Sequence, residues 1–160
     1  MDKLKKLSEE IGLFLQQEKQ ILVSAESCTG GGIASAVTDI SGSSVWFDRA
    51  FITYSNDAKM EMLGVNAKTL TMNGAVSQPV VAEMAFGALK NSNGTVSVAV
   101  SGIAGPTGGT EDKPVGTVWF AWRYLDKEYQ ECCLFEGDRA EVRYQACVHA
   151  LEGVIKVIKG

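Results

Sequence analysis

Residues 21–32 read ILVSAESCTGGG, and residues 95–109 read TVSVAVSGIAGPTGG. Each is a short apolar run followed at once by a glycine-rich loop. The runs Ile21–Ala25 and Thr95–Ser101 read as buried strands. The first loop opens onto Ile33–Val37, the core of a helix. Buried strands alternating with helices favour an α/β fold. Ligands of such sheets bind in the crevice outside the carboxyl ends of the strands. Both glycine-rich loops are placed to converge there.

The pattern continues outward from these two stretches. Leu4, Leu7, Ile11, Phe14 and Leu15 recur at helical spacing, which predicts a helix over 3–18. Trp46–Tyr54 reads as a strand. Ser55 caps a helix over Asn56–Leu63, and Gly64 stops it. Ser77 and Gln78 before Pro79 mark another helix start, with Val80, Val81, Met84, Ala85, Ala88 and Leu89 as its apolar face. Gly116–Tyr124 and Glu128–Phe135 form a hairpin across Leu125–Lys127. Arg139–Ile158 is the last helix, with Val142, Ala146, His149, Ala150, Gly153 and Val157 near one face. The hairpin makes the sheet mixed rather than purely parallel.

The 160 residues suit one domain over 1–160, since domains run ~100–200 residues. Hydrophobic residues at 46% and charged residues at 21% exclude a disordered chain. The 17 glycines against 3 prolines indicate tight loops rather than a flexible linker. A net charge of −4 argues against a nucleic-acid binder, whose affinity rests on many Lys and Arg contacts to phosphate. A small phosphorylated ligand needs only a local pocket. Cys28, Cys132, Cys133 and Cys147 form no C-x-x-C pair, so neither a disulfide framework nor a zinc site is indicated. The start MDKLKKLSEEIG carries charges where a secretory signal needs an apolar core. No stretch approaches the ~18–20 apolar residues of a membrane span. A cytoplasmic protein is expected.

Four segments can carry chemistry. In ESCTGGG, Ser27 and Cys28 are both candidate nucleophiles, and the N–H groups around Thr29, Gly30 and Gly31 suit an anion or an oxyanion. The plainer alternative is a strand-to-helix turn with a Ser or Thr cap. In YSNDAK, Lys59 falls in the first turn of a helix. The positive end of the helix and desolvation both disfavour an ammonium there. A neutral Lys59 is a general base, and Ser with Lys is a recognised alternative to Ser-His-Asp. Asp57 opposes that shift if it lies close, and a solvated surface lysine is the alternative. In SGIAGPTGGT, the backbone from Gly102 through Ala104, Gly105 and Thr107 offers close approach to a ligand, without a G-x-G-x-x-G fingerprint. In GDRAEVR, Arg139 and Arg143 share one helix face and present two guanidinium forks. They hold a phosphate or carboxylate, or else pair with Asp138 and Glu141 at the surface.

Absences narrow the choice. His149 is the sole histidine, on an apolar helix face, and reads as a packed core residue. A hydrolytic zinc site usually needs two or more histidines, so a metal-dependent amidase is disfavoured. Cys132 and Cys133 point to opposite faces of a strand and read as packing residues. The phosphate motif G-x-x-x-x-G-K-[ST] is missing, which argues against phosphotransfer.

Taken in order, ESCTGG, WF-x-R-x-F-x-TYSN-x-AK, GAVS, SGIAGPTGG, KPVGTVWFA and GDR-x-x-VR resemble the CinA C-terminal domain family from about Leu4 to Ile158. The chain resembles the family's stand-alone amidohydrolases; longer CinA proteins add an N-terminal domain for which 160 residues leave no room. The resemblance implies hydrolysis of the carboxamide of nicotinamide mononucleotide to nicotinate mononucleotide and ammonia, a step of pyridine nucleotide recycling. It implies a single three-layer α/β/α domain with a mixed, largely parallel sheet, no metal, no cofactor and a homo-oligomer. The family's serine nucleophile falls on Ser27 and its lysine base on Lys59, with Tyr54 positioning or relaying the proton. Its glycine-rich elements fall on Gly30, Gly31, Gly102 and Gly105, and its arginines on Arg139 and Arg143. Arg139, Arg143 and Thr29 are the candidates for the 5′-phosphate. The competing reading is a non-catalytic nucleotide-binding module linked to competence, which binds the mononucleotide without releasing ammonia.

Overall fold

In a computed structural model, which describes residues 2–160, three strands run parallel and deliver their carboxyl ends to one rim. They are β1 (Leu22–Glu26), β2 (Phe47–Ile52) and β3 (Val96–Gly102). β4 (Thr117–Tyr124) and β5 (Lys127–Leu134) complete a five-stranded sheet in the order β2-β1-β3-β4-β5. β4 is antiparallel to both β3 and β5. The sheet is therefore half parallel and half antiparallel, which corrects the largely parallel sheet expected above. The cause lies in the connections. Helices carry the chain back from β1 to β2 and from β2 to β3, as parallel pairing requires. Residues 103–116 hold no helix, so the chain turns round and returns beside β3 in the opposite direction.

Alternation along the strands splits the side chains into two cores. Leu22, Val96, Val98, Val100, Val118, Phe120 and Trp122 face one side. There they meet α1 (Lys3–Glu18), α2 (Gly32–Thr38) and α6 (Arg139–Lys159), through residues such as Ile11, Leu15, Ile33, Val142 and Leu151. Val23, Ala25, Ala99 and Ala121 face the other side. α3 (Asn56–Leu63), α4 (Ala67–Asn73) and α5 (Gln78–Lys90) cover them with Leu63, Leu70, Val80 and Met84. Each fully buried Leu, Val or Met stabilises this arrangement by roughly 1.5–3 kcal/mol. The small strand residues on the second face let α5 approach closely, and Ser97 Oγ donates to the Ala85 carbonyl at 2.9 Å. Helices on both faces make three layers.

The predicted elements match closely, with α1 spanning 3–18 and α3 running from the Ser55 cap to Gly64. Ser55 Oγ accepts from Ala58 N–H at 3.0 Å, and Gly64 takes the left-handed conformation that ends the helix. α4 is an addition. Its sequence, AKTLTMN, buries only Leu70 and so carries no apolar period.

Candidate active site

Each parallel strand ends in a segment that supplies one wall of a cavity of about 300 Å³. Ser27 and Cys28 follow β1, Tyr54 follows β2, and Ser101 to Gly108 lie at and after the end of β3. Asn56 and Lys59 from α3, Ala75 and Val76, and Arg139 at the start of α6 close it. The order β2-β1-β3 puts the crossovers after β1 and β2 on opposite faces of the sheet, and the cavity opens at that divide.

Lys59 Nζ donates to Ser27 Oγ at 3.0 Å and to the Thr53 carbonyl at 2.9 Å. Lys59 is only 1% exposed and Ser27 8%. Desolvation lowers the Lys59 pKa from its ordinary lysine value, because little water remains to solvate the ammonium. No carboxylate bonds to Nζ, and Asp57 stays exposed to solvent. A hydroxyl and a desolvated amine at hydrogen-bond distance have the geometry a nucleophile and its base require. Cys28 shares the cavity, but burial pushes its thiol up to about 11. That favours the inert thiol over the thiolate at neutral pH.

The first loop is held by a residue that the sequence reading left without a role. Glu26 is fully buried at the end of β1. Its Oε1 accepts from Thr29 Oγ1 at 2.7 Å, Gly31 N–H at 3.1 Å and Ile33 N–H at 3.0 Å. Its Oε2 accepts from Ser24 Oγ and Ala34 N–H, both at 3.0 Å. The carboxylate thus satisfies the orphan donors at the start of α2 and sits at the positive end of that helix. Gly31 has φ of +100°, and a Cβ there would lie 3.0 Å from Ile52 Cδ1, so this turn suits glycine alone.

Arg143 locks the same loop from outside. Its Nε donates to the Cys28 carbonyl at 3.0 Å and its Nη2 to the Thr29 carbonyl at 3.2 Å. Arg139 instead reaches the cavity. Its Nη1 donates to the Gly105 carbonyl at 2.9 Å and its Nη2 to Tyr54 Oη at 3.0 Å. Neither arginine pairs with Asp138 or Glu141. Those two acids form a capping box at the start of α6. Gly105, at φ +82°, brings its backbone so close to Val115 that a Cβ would lie 2.4 Å from Cγ1.

Of the residues singled out in the sequence, Ser27, Cys28, Tyr54, Lys59, Gly102, Ala104, Gly105, Thr107 and Arg139 line this cavity. Thr29, Gly30, Gly31 and Arg143 lie behind its wall, in the loop that Glu26 and Arg143 hold. Asn56, Ser101 and Gly108 line it without having been assigned a role, though each falls within a quoted motif or loop. Glu26 also stood in plain view at the head of ESCTGGG. Only the fold shows that five donors converge on it. His149 packs against Phe120, Trp122 and Phe135, as a packed residue would, but it is only half-buried and turns its Nε2 to Cys133 and Glu131.

The CinA C-terminal domain profile matches residues 4–158. The chain belongs to the CinA C-terminal domain family. Among members of the CinA family, the nicotinamide-nucleotide amidohydrolase PncC of Escherichia coli K12 is 53% identical over 152 residues, covering 93% of this chain and 91% of its own length. PncC of Pseudomonas putida is 45% identical over 157 residues, covering 98% of each chain. The crystal structure of the competence/damage inducible protein CihA from Agrobacterium tumefaciens superposes with a TM-score of 0.96 at 41% identity, over 100% of this chain and 98% of that one.

Proposed function

We propose that this chain is a nicotinamide-nucleotide amidohydrolase that cleaves the carboxamide of nicotinamide mononucleotide to nicotinate mononucleotide and ammonia. The observation that carries the mechanism is the buried Lys59–Ser27 hydrogen bond at the carboxyl ends of β1 and β2. The 53% and 45% identities to proteins of that name support the substrate.

Neutral Lys59 takes the Ser27 hydroxyl proton as Oγ attacks the amide carbon. Main-chain N–H groups beside the nucleophile, in the first or the second glycine-rich loop, stabilise the oxyanion. The Lys59 ammonium then passes its proton to the leaving nitrogen, and ammonia departs. A Ser27 acyl ester remains. Lys59 next deprotonates a water, which attacks the ester, and the same proton returns to Ser27 as nicotinate mononucleotide leaves. The Thr53 carbonyl holds Nζ in place through both halves. Tyr54 and Arg139, joined through Oη and Nη2, form the polar rim where the 5′-phosphate lies. Glu26, Thr29, Gly30, Gly31 and Arg143 keep the nucleophile's loop in shape.

On this reading residues 1–160 act as one domain in the cytoplasm, as a homo-oligomer, with no nucleic acid and no cofactor. Among the described residues no helix is long and apolar enough to cross a membrane. A module that only binds nucleotide has no need of a lysine buried against a serine hydroxyl. The deciding experiment is ammonia release from nicotinamide mononucleotide by the purified protein, with Ser27→Ala beside it. Release that the variant loses supports the enzyme. Binding of the mononucleotide without release by the folded wild type overturns it in favour of the regulatory module.

A further inference from the structure

A second cluster of reactive side chains lies well away from Ser27. Glu131 and Cys133 alternate on β5 and so point to the same face, toward α6. His149 comes from α6, ten residues beyond Arg139 and hence ~15 Å along the helix from it. His149 Nε2 is 2.5 Å from Glu131 Oε1 and 3.4 Å from Cys133 Sγ. All three donor atoms lie within 4.8 Å of one another. Beside them is a cavity of about 270 Å³ lined by Trp122, Tyr129, Gln130, Glu152 and Lys156.

One imidazole nitrogen faces both neighbours here, and it cannot accept the thiol proton and donate to the carboxylate at once. With a proton, Nε2 donates to Glu131, and the Cys133 thiol loses its acceptor. Without one, Nε2 accepts from the thiol, and its lone pair faces the carboxylate oxygen. A cation removes the conflict, because three lone pairs then converge on one centre. The spacing fits. Tetrahedral zinc with bonds of ~2.0–2.1 Å to nitrogen and ~2.3 Å to sulfur separates those ligands by about 3.5 Å. The Glu131 oxygen must open from Nε2 toward a similar separation, and its half-exposed side chain on an edge strand is free to do so.

We propose that Glu131 Oε1, Cys133 Sγ and His149 Nε2 bind one zinc-class divalent cation, with the fourth coordination position open to the adjoining cavity. The mixed sulfur, nitrogen and oxygen donor set selects a borderline-soft metal over magnesium or calcium. Binding releases the Cys133 thiol proton to solvent and forms a metal–thiolate bond. Burial and the Glu131 carboxylate otherwise hold that thiol up at about 11, and a bound cation reverses this. The bound ion ties the edge strand β5 to α6. It takes no part in the chemistry at Ser27.

The test is titration of the purified, metal-free full chain with Co²⁺. One equivalent is expected to give a thiolate-to-cobalt charge-transfer band with intense tetrahedral visible bands, both displaced by Zn²⁺. Zn²⁺ is also expected to raise the melting temperature. Cys133→Ser removes the charge-transfer band. His149→Gln weakens Co²⁺ binding by at least ~100-fold, beyond the ~10–100-fold cost of losing an outer-shell partner. Cys132→Ser, next along the strand but facing away, keeps the spectrum. An octahedral spectrum without the band in wild type overturns the proposal. So does a band that survives Cys133→Ser or vanishes in Cys132→Ser. If Cys133→Ser does not fold, the wild-type spectrum and His149→Gln decide.

Discussion

Lys59 Nζ lies 3.0 Å from Ser27 Oγ, although Ser27 follows β1 and Lys59 belongs to α3, 32 positions further on. The bond joins the carboxyl ends of β1 and β2 through side chains almost wholly removed from water. Ser27→Ala and Lys59→Met should each lower kcat for ammonia release by at least ~10³-fold, as loss of a nucleophile or its base does. Lys59→Arg should not rescue, because a guanidinium stays charged. Cys28→Ala should cost less than ~10-fold, since its thiol is held protonated. Steady-state rates of the four variants check this, and a Cys28→Ala loss equal to that of Ser27→Ala would reassign the nucleophile.

Activity should rise with pH through the folded Lys59 pKa, which lies below the ordinary lysine value. The base must be neutral to accept the Ser27 proton, so kcat/KM falls as pH falls and Lys59 protonates. Stability has the same sign. The native state binds fewer protons than the unfolded chain between the lowered pKa and ~10.4, so folding strengthens as pH rises across that window. Lys59→Met should abolish that slope and raise the melting temperature at neutral pH, where burying an amine costs free energy. Thermal melts of both proteins across the alkaline range measure it.

Arg139 should act on substrate binding. It faces the cavity, and its Nη groups reach the second loop and Tyr54. A charge-assisted hydrogen bond to phosphate contributes about 1.5–3 kcal/mol, which corresponds to ~10–100-fold in affinity. Arg139→Ala should raise KM for the mononucleotide by that factor and narrow its advantage over the unphosphorylated nucleoside. Arg143→Ala should instead lower kcat for both, because Arg143 holds the backbone next to Ser27. An unchanged preference in Arg139→Ala would move the phosphate elsewhere.

Glu26→Gln should destabilise the fold and the nucleophile together. An amide nitrogen replacing Oε2 would face the Ala34 N–H, a donor left unsatisfied at a cost of about 1–3 kcal/mol. At ~2–4 °C per kcal/mol for a domain of this size, the loss is visible in a melt. Turnover should fall further than stability explains, since the loop carrying Ser27 loses its anchor. Comparing kcat well below the melting temperature separates the two effects.

Local patterns decided the elements of this protein. The period of Leu4, Leu7, Ile11 and Leu15, the Ser55 cap and Gly64 stop, and the two runs before glycine-rich loops depend on near neighbours in the chain, so they are legible in sequence. The pieces of the site were legible for the same reason, because Ser27, Lys59 and the second loop each belong to a contiguous motif. Tertiary structure alone decided what those pieces do to one another. The direction of β4 depends on a return segment without a crossover helix. The lowered pKa of Lys59 depends on how completely the fold removes it from water. Arg139 and Arg143 share a helix face, yet one meets the cavity and the other the backbone behind it, because the two loops approach α6 at different heights. Glu26 and the Glu131–Cys133–His149 cluster follow the same rule: a group's chemistry is set by the donors and charges that packing brings to it, and those come from distant parts of the chain.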